Sequence, residues 1–171
     1  MDKTLIQDAA IAFQTDLFSA IKTARYKGDA YENGQKAKEA LIRSQNSIRL
    51  FHECTKISLK KTLERSISKN WLCFPPVGQN SPELKIYGRI KGKDQDLVYL
   101  CEKLKRERIT EGPNEGEIDT VGLSALASSI VVGVRSQMSS VDKNFDTLME
   151  RAFAETLNLR LRIPTLRMGE L

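Results

Sequence analysis

A chain of 171 residues with 40% hydrophobic and 29% charged content can bury one real core, so one domain with an appended helical part is expected. No apolar run reaches the roughly 18 residues that a membrane span needs, and no secretory-signal pattern opens the chain; a cytoplasmic protein with no membrane partner is the expectation. Cys54, Cys73 and Cys101 are odd in number and form no CxxC pair, so they read as buried, reduced thiols; with the lone His52 they are too few for a zinc site.

The net charge of +5 is mild, but its distribution is uneven. Between Glu83 and Arg108 stand Lys85, Arg89, Lys91, Lys93, Lys103, Lys105, Arg106 and Arg108, against Glu83, Asp94, Asp96, Glu102 and Glu107. A basic zone around a few acids suits a phosphate-bearing partner, and equally a solvated surface kept soluble by lysine.

Apolar residues Ile6, Ala10, Phe13, Leu17 and Ile21 recur at helical spacing from Lys3 to about Tyr26, and Gly28-Asp29 break the pattern. A second helix is expected from Asp29 or Gln35 to Ser66, with Ala37, Leu41, Ile48, Phe51, Leu59 and Leu63 inward and a bend near Ser44 to Ser47. The fold class is therefore α+β or α/β: a long helical pair over 1–69, then a mixed sheet over 70–171. Its strands are expected near 71–74, 84–91, 95–101, 129–135 and 166–171. Gly92-Lys93-Asp94 reads as the turn of a hairpin joining 84–91 to 95–101. Asp96 then opens an otherwise hydrophobic strand, where an acid is costly unless paired, hydrogen-bonded or bound to metal; Lys91 and Lys93 are candidate partners. The polar interval to Thr120 reads as a short charged element and a loop. Its acids Glu115, Glu117 and Asp119 are alternative metal ligands in solvated surroundings.

Ile130, Val131, Val132 and Val134 form a β-branched strand that ends on Arg135, Ser136 and Gln137. Ser139 or Ser140 caps a crossover helix near 141–158, with Phe145, Leu148, Met149, Ala152, Phe153 and Thr156 on one side. Pro164 stops it and a last strand starts at Leu166. Such βαβ units collect sites at the carboxyl ends of their strands, where Arg135 and Gln137 stand. A carboxylate and a cation at adjacent strand ends, inside a basic zone, suit metal-assisted phosphodiester hydrolysis.

The strand Gln95-Asp96-Leu97-Val98, the strand end Val132-Gly133-Val134-Arg135-Ser136-Gln137, the segment NFDTLMERAFAETLNL and the closing RMGEL resemble the PD-(D/E)xK core of certain type II restriction endonucleases. The resemblance covers about residues 85–171. It implies a magnesium-dependent, site-specific cleavage of duplex DNA, a homodimer, and a companion DNA methyltransferase that protects the host. Asp96 would be the metal-binding acid, Gln95 replacing the usual proline, and Arg135 would take the place of the lysine. Gly133 occupies the position of the second acid, so Glu150, on the following helix, is the candidate for the displaced catalytic and metal-binding carboxylate. Gln137 would orient water or read a base. Lys91, Lys93, Ser136, Ser139, Ser140 and Asn144 would contact DNA. A chain that stops at Gly169-Glu170-Leu171 reads as a C-terminally truncated, N-terminal piece of a longer enzyme, expected to be poorly stable and inactive alone. A non-catalytic nucleic-acid-binding module and a structural helical protein are the alternatives to the nuclease.

Overall fold

The computed structural model describes residues 3–44, 46–66, 71–101, 103–135 and 141–170. The protein is a mixed α+β chain of two compact units, 1–58 and 59–171. Their division falls inside a helix, about a dozen residues before the expected change of character at 69.

In the first unit, α1 (Lys3–Thr23) leads into a two-strand hairpin, β1 (Arg25–Tyr26) and β2 (Asp29–Ala30). The hairpin turns on Lys27 and Gly28, both at positive φ, as a two-residue loop matched to strand twist requires. Asn33 caps α2 (Gly34–Arg43) by accepting the Lys36 N–H at 3.0 Å. The two helices bury Ala20, Ala37 and Leu41 against each other, with Phe13, Leu17, Tyr26, Tyr31 and Ile42 around them. Ser44 ends α2: its hydroxyl donates to the Leu41 carbonyl and accepts from the Tyr26 hydroxyl at 2.8 Å. The expected long second helix is therefore two, α2 and α3 (Asn46–Ser66). On α3 the buried Cys54 thiol donates to the Leu5 carbonyl at 3.6 Å, and burial followed by the Glu53 charge raises its pKa.

The second unit begins its sheet with β3 (Leu72–Phe74), followed by the hairpin β4 (Leu84–Tyr87) and β5 (Gly92–Gln95) and by β6 (Leu97–Leu100). Then come β7 (Glu107–Arg108), β8 (Ile118–Asp119), α4 (Leu123–Ala127), β9 (Ile130–Gly133), α5 (Val141–Arg160) and β10 (Arg167–Glu170). The principal sheet runs β10-β9-β6-β3, with β10 parallel to β9 and the other pairs antiparallel. All four residues of β6 are buried, as a strand covered on both faces demands. Val98 and Leu100 join Val131 of β9, Leu159 of α5, and Leu84, Ile86, Leu126, Ile163 and Leu166 in the core. At roughly 25 cal/mol per Å² of apolar area removed from water, this cluster is the main source of the unit's stability.

Two expectations for this unit are corrected. The hairpin is β4–β5, with Leu84 opposite Gln95 and Tyr87 opposite Gly92; Gly92 to Asp94 lie within a strand and the turn is Gly88 to Lys91. Asn158 of α5 sets that turn, accepting the Ile90 N–H at 2.8 Å, donating to the Lys91 carbonyl at 3.0 Å, and leaving no room for a side chain at Gly88. Asp119 is not solvated. It is fully buried at the end of β8, where it meets Arg162 at 2.7 Å and accepts the Val121 and Gly122 N–H groups at 3.0 and 3.1 Å.

Candidate functional site

The site is assembled by register. Leu97 pairs with Val132 across the antiparallel β6–β9 ladder, so Asp96, one residue earlier, comes opposite Gly133 at the end of β9. An Asp96 carboxylate oxygen accepts the Val134 N–H at 2.9 Å and is held there. On the other side of β9, the parallel ladder sets Glu170 beside Gly133. Opposite residues in a sheet share a face. That face is the one bearing Val98, Val131 and α5, because Asp96 and Gly133 lie two residues from those core positions.

Gly133 leaves a gap that Glu170 fills. A Cβ built on Gly133 would lie 2.5 Å from Glu170 Oε2 and 2.8 Å from its carboxyl carbon. The carboxylate of β10 thus occupies the space that a side chain at the end of β9 would take. Arg135 follows two residues after Gly133 and clasps that carboxylate, with Nε donating to Glu170 Oε2 at 3.0 Å. Its Nη2 donates to Glu155 Oε2 at 2.9 Å. Lys93 from β5 donates to both oxygens of Glu155 at 2.7 Å. Glu155 reaches the cluster because it lies one helical turn before Leu159, whose side chain is fixed in the core. Glu83, just before β4, faces the same place: burial, then Asp96 and Asp94, raise its carboxyl pKa, with Lys93 pulling the other way.

Asp96 and Arg135 therefore stand at adjacent strand ends on one sheet face, and Lys93 stands with them. Lys91 is held at its backbone by Asn158, with its side chain at the surface. Glu150 is exposed on α5, and Glu155 is the helix acid that touches Arg135. Ser136, Gln137, Ser139 and Ser140 lie outside the described residues; Asn144 lies in the first turn of α5, and its side chain is also outside them. Glu155, Glu170 and Glu83 were not candidates in the sequence reading. The signal for Glu155 was its spacing from the Asn158-Leu159 pair, whereas Glu170 needed the β9–β10 register.

Counting Asp96, Glu155 and Glu170 against Lys93 and Arg135 leaves the cluster one negative charge in excess before Glu83 is added. That imbalance suits a cation held beside Asp96 and Glu170. Among the described residues no group of three or more His, Cys, Asp or Glu side chains is placed to hold a metal. A magnesium ion does not require one, since it takes one or two carboxylates and fills its shell with water and phosphate oxygens. Among the described residues no helix is long and apolar enough to cross a membrane.

The fold and this sheet end define a mixed α+β protein with a carboxylate and guanidinium cluster at the carboxyl ends of a parallel strand pair. No family model, no curated protein and no solved structure matches the chain.

Proposed function

We propose that the second unit is a magnesium-dependent nuclease of the PD-(D/E)xK type, cutting duplex DNA at a specific sequence. The observation that carries this reading is the single sheet rung on which Asp96, Gly133 and Glu170 follow one another, with Arg135 beside them. Asp96 and Glu170 are the carboxylates that would hold the ion, and Glu170 takes the role that the sequence alone offered to Glu150. When bound, magnesium lowers the pKa of a coordinated water and offsets charge on the phosphate.

The chain's own groups do the rest. The Val134 N–H fixes the Asp96 carboxylate before any substrate arrives, which removes the cost of ordering it later. Arg135 is the cation placed to meet the charge that grows on the phosphate oxygens, and Glu155 holds its guanidinium plane in position. Lys93, nearly half exposed, and Lys91 offer the non-specific attraction to the DNA backbone.

The test is cleavage of supercoiled and linear duplex DNA by the full chain with and without magnesium. Asp96→Asn and Glu170→Gln are each expected to lower the rate at least ~100-fold, while Glu150→Gln leaves it within about twofold. Isothermal titration of magnesium gives the second readout, with binding weakened by the same two substitutions. Cleavage that survives Asp96→Asn would sink the proposal.

A second reading, nucleic-acid binding without cleavage, is favoured by one observation: Arg135 is already engaged by two carboxylates. It expects binding that weakens steeply with salt, indifferent to magnesium, and no cut product.

A further inference from the structure

A cleft of about 330 Å³ lies past the end of α5, between the β4–β5 turn, the β7–β8 loop and Leu161-Arg162. That is the size of a small-ligand pocket. Its walls are tied to one another. The Arg89 N–H donates to the Asn158 carbonyl at 2.7 Å, and the Asn114 side chain donates to the Gly88 carbonyl at 3.0 Å. Within the loop, the Gly116 N–H donates to the Ile109 carbonyl at 2.9 Å. Arg162, which joins the lining, is itself fixed by Asp119.

Two guanidinium groups with unused donors line the cleft. Arg89 stands on the turn and is 47% exposed; Arg108 ends β7 and is exposed too. Among the described residues Arg89 donates to Glu111 at 3.3 Å, and Arg108 donates through Nε to the Gly116 carbonyl at 3.3 Å. A guanidinium carries five N–H donors, so both forks are mostly open. Gly112 lets Arg89 lie against the loop: it sits at φ +81°, and a Cβ there would come 3.4 Å from Arg89 Nη1. The carboxylates in the lining are unequal. Glu107 accepts the Leu123 N–H at 2.8 Å. Glu111 is 80% exposed, and its long contact with Arg89 is a surface pair of the kind that contributes little, so an incoming anion displaces it readily.

The class of anion follows from the forks. A carboxylate has two oxygens in one plane and suits one guanidinium. A phosphate monoester has three acceptor oxygens and close to two negative charges, so it accepts from two guanidinium groups that reach it from different segments. Leu123 and Leu161, 43% and 55% exposed, stand in the same lining and suit an apolar part of the ligand. We propose that this cleft binds a small phosphate monoester, with Arg89 and Arg108 on its oxygens and its organic part against Leu123 and Leu161. The cleft shares no residue with the Asp96–Arg135 cluster, so the proposal does not rest on the nuclease reading.

Isothermal titration of the full chain with adenosine monophosphate, without magnesium, tests it. Saturable binding with a Kd below about 1 mM is expected. Inorganic phosphate should bind about tenfold more weakly, because it leaves the two leucines uncovered. Arg89→Gln and Arg108→Gln each remove a charge-assisted bond and should weaken the nucleotide about tenfold or more. The thermal melt should be kept in both, since both side chains are exposed. Glu111→Gln should tighten binding about threefold. Glu115→Gln makes the same charge change on the same loop but outside the cleft, and should leave binding unchanged at about 0.15 M salt. No saturable nucleotide binding up to about 10 mM overturns the proposal. So does binding that survives both arginine substitutions, or equal tightening by the two glutamate variants. A short duplex DNA that Arg89→Gln weakens, with no nucleotide binding, would make the cleft part of a nucleic-acid surface and overturn it as well.

Discussion

Among the described residues of the second unit, the clusters around Arg162 and Arg135 differ in how completely they are closed. Around Arg162, everything is spoken for. Asp119 is fully buried, one oxygen meets the guanidinium at 2.7 Å, the other takes two backbone N–H groups, and Arg162 also donates to the Tyr87 carbonyl at 2.8 Å. Around Arg135 the chemistry is similar but the balance is open. Its carboxylate partners are 14% and 36% exposed, Lys93 shares one of them, and among the described residues Asp96 is held through a backbone N–H. The first cluster ties β8, the start of α4 and the chain after α5 together. The second presents charge at a strand end, in excess and within reach of solvent. Identical residue types are sealed in one place and left within reach of solvent in the other, and burial with full pairing is what separates them.

The largest effect that would test this contrast is on the closed cluster. Asp119→Ala leaves a buried guanidinium and two N–H groups without their acceptor and should cost about 3–5 kcal/mol, read by denaturant unfolding. For a fold stabilised by only about 5–15 kcal/mol, that brings the unit close to unfolding. A loss under about 1 kcal/mol would mean that the cluster is not closed as described.

A smaller effect on stability, with a large one on function, is expected at the open cluster. Gly133→Ala places a methyl group against the Glu170 carboxylate, the free end of a flexible side chain that can swing away. Stability should change by less than about 1 kcal/mol, while the Arg135–Glu170 pair is broken and magnesium affinity falls. Unchanged magnesium affinity, or the same loss in Glu150→Gln, would separate Glu170 from the role proposed for it.

The smallest effect is a pH dependence. Glu83 holds its proton more tightly in the folded chain than in the unfolded one, first because of burial and then because of Asp96 and Asp94. Its favourable contribution is therefore present below the ordinary carboxylate range and lost as pH rises through the raised value. Glu83→Gln removes the ionised form, so it should melt slightly higher than the native chain near neutral pH, the difference closing in acid. A lower melt at neutral pH would place Glu83 outside the repulsion of the cluster.

Part of this arrangement was legible in the chain. The β-branched run ending at Arg135, the lone Asp96 before a buried strand and the βαβ unit around Pro164 all follow from local pattern, and they lead to the same sheet end. The orientation of α5 was not legible. Phe145, Met149 and Phe153 look like a core stripe, yet the face that the sheet covers is that of Glu155, Asn158 and Leu159. A helix with apolar residues on two sides does not disclose which side is covered. Nor did Gly92-Lys93-Asp94 disclose that it is strand, since the turn is placed by Asn158, 67 residues from Lys91.

The helical character of the first unit, the β-branched strand leading to Arg135, the crossover helix and the last strand were determined by the sequence alone, because turn chemistry and hydrophobic period act over a few neighbours. Which carboxylate stands beside Asp96, which helix acid reaches Arg135, and whether Asp119 is solvated or sealed were decided only by the tertiary structure. Strand register and helix rotation are set by contacts between residues distant in the chain. A shift of one residue in a strand exchanges its faces, and a five-residue step on a helix turns a side chain from solvent to the sheet.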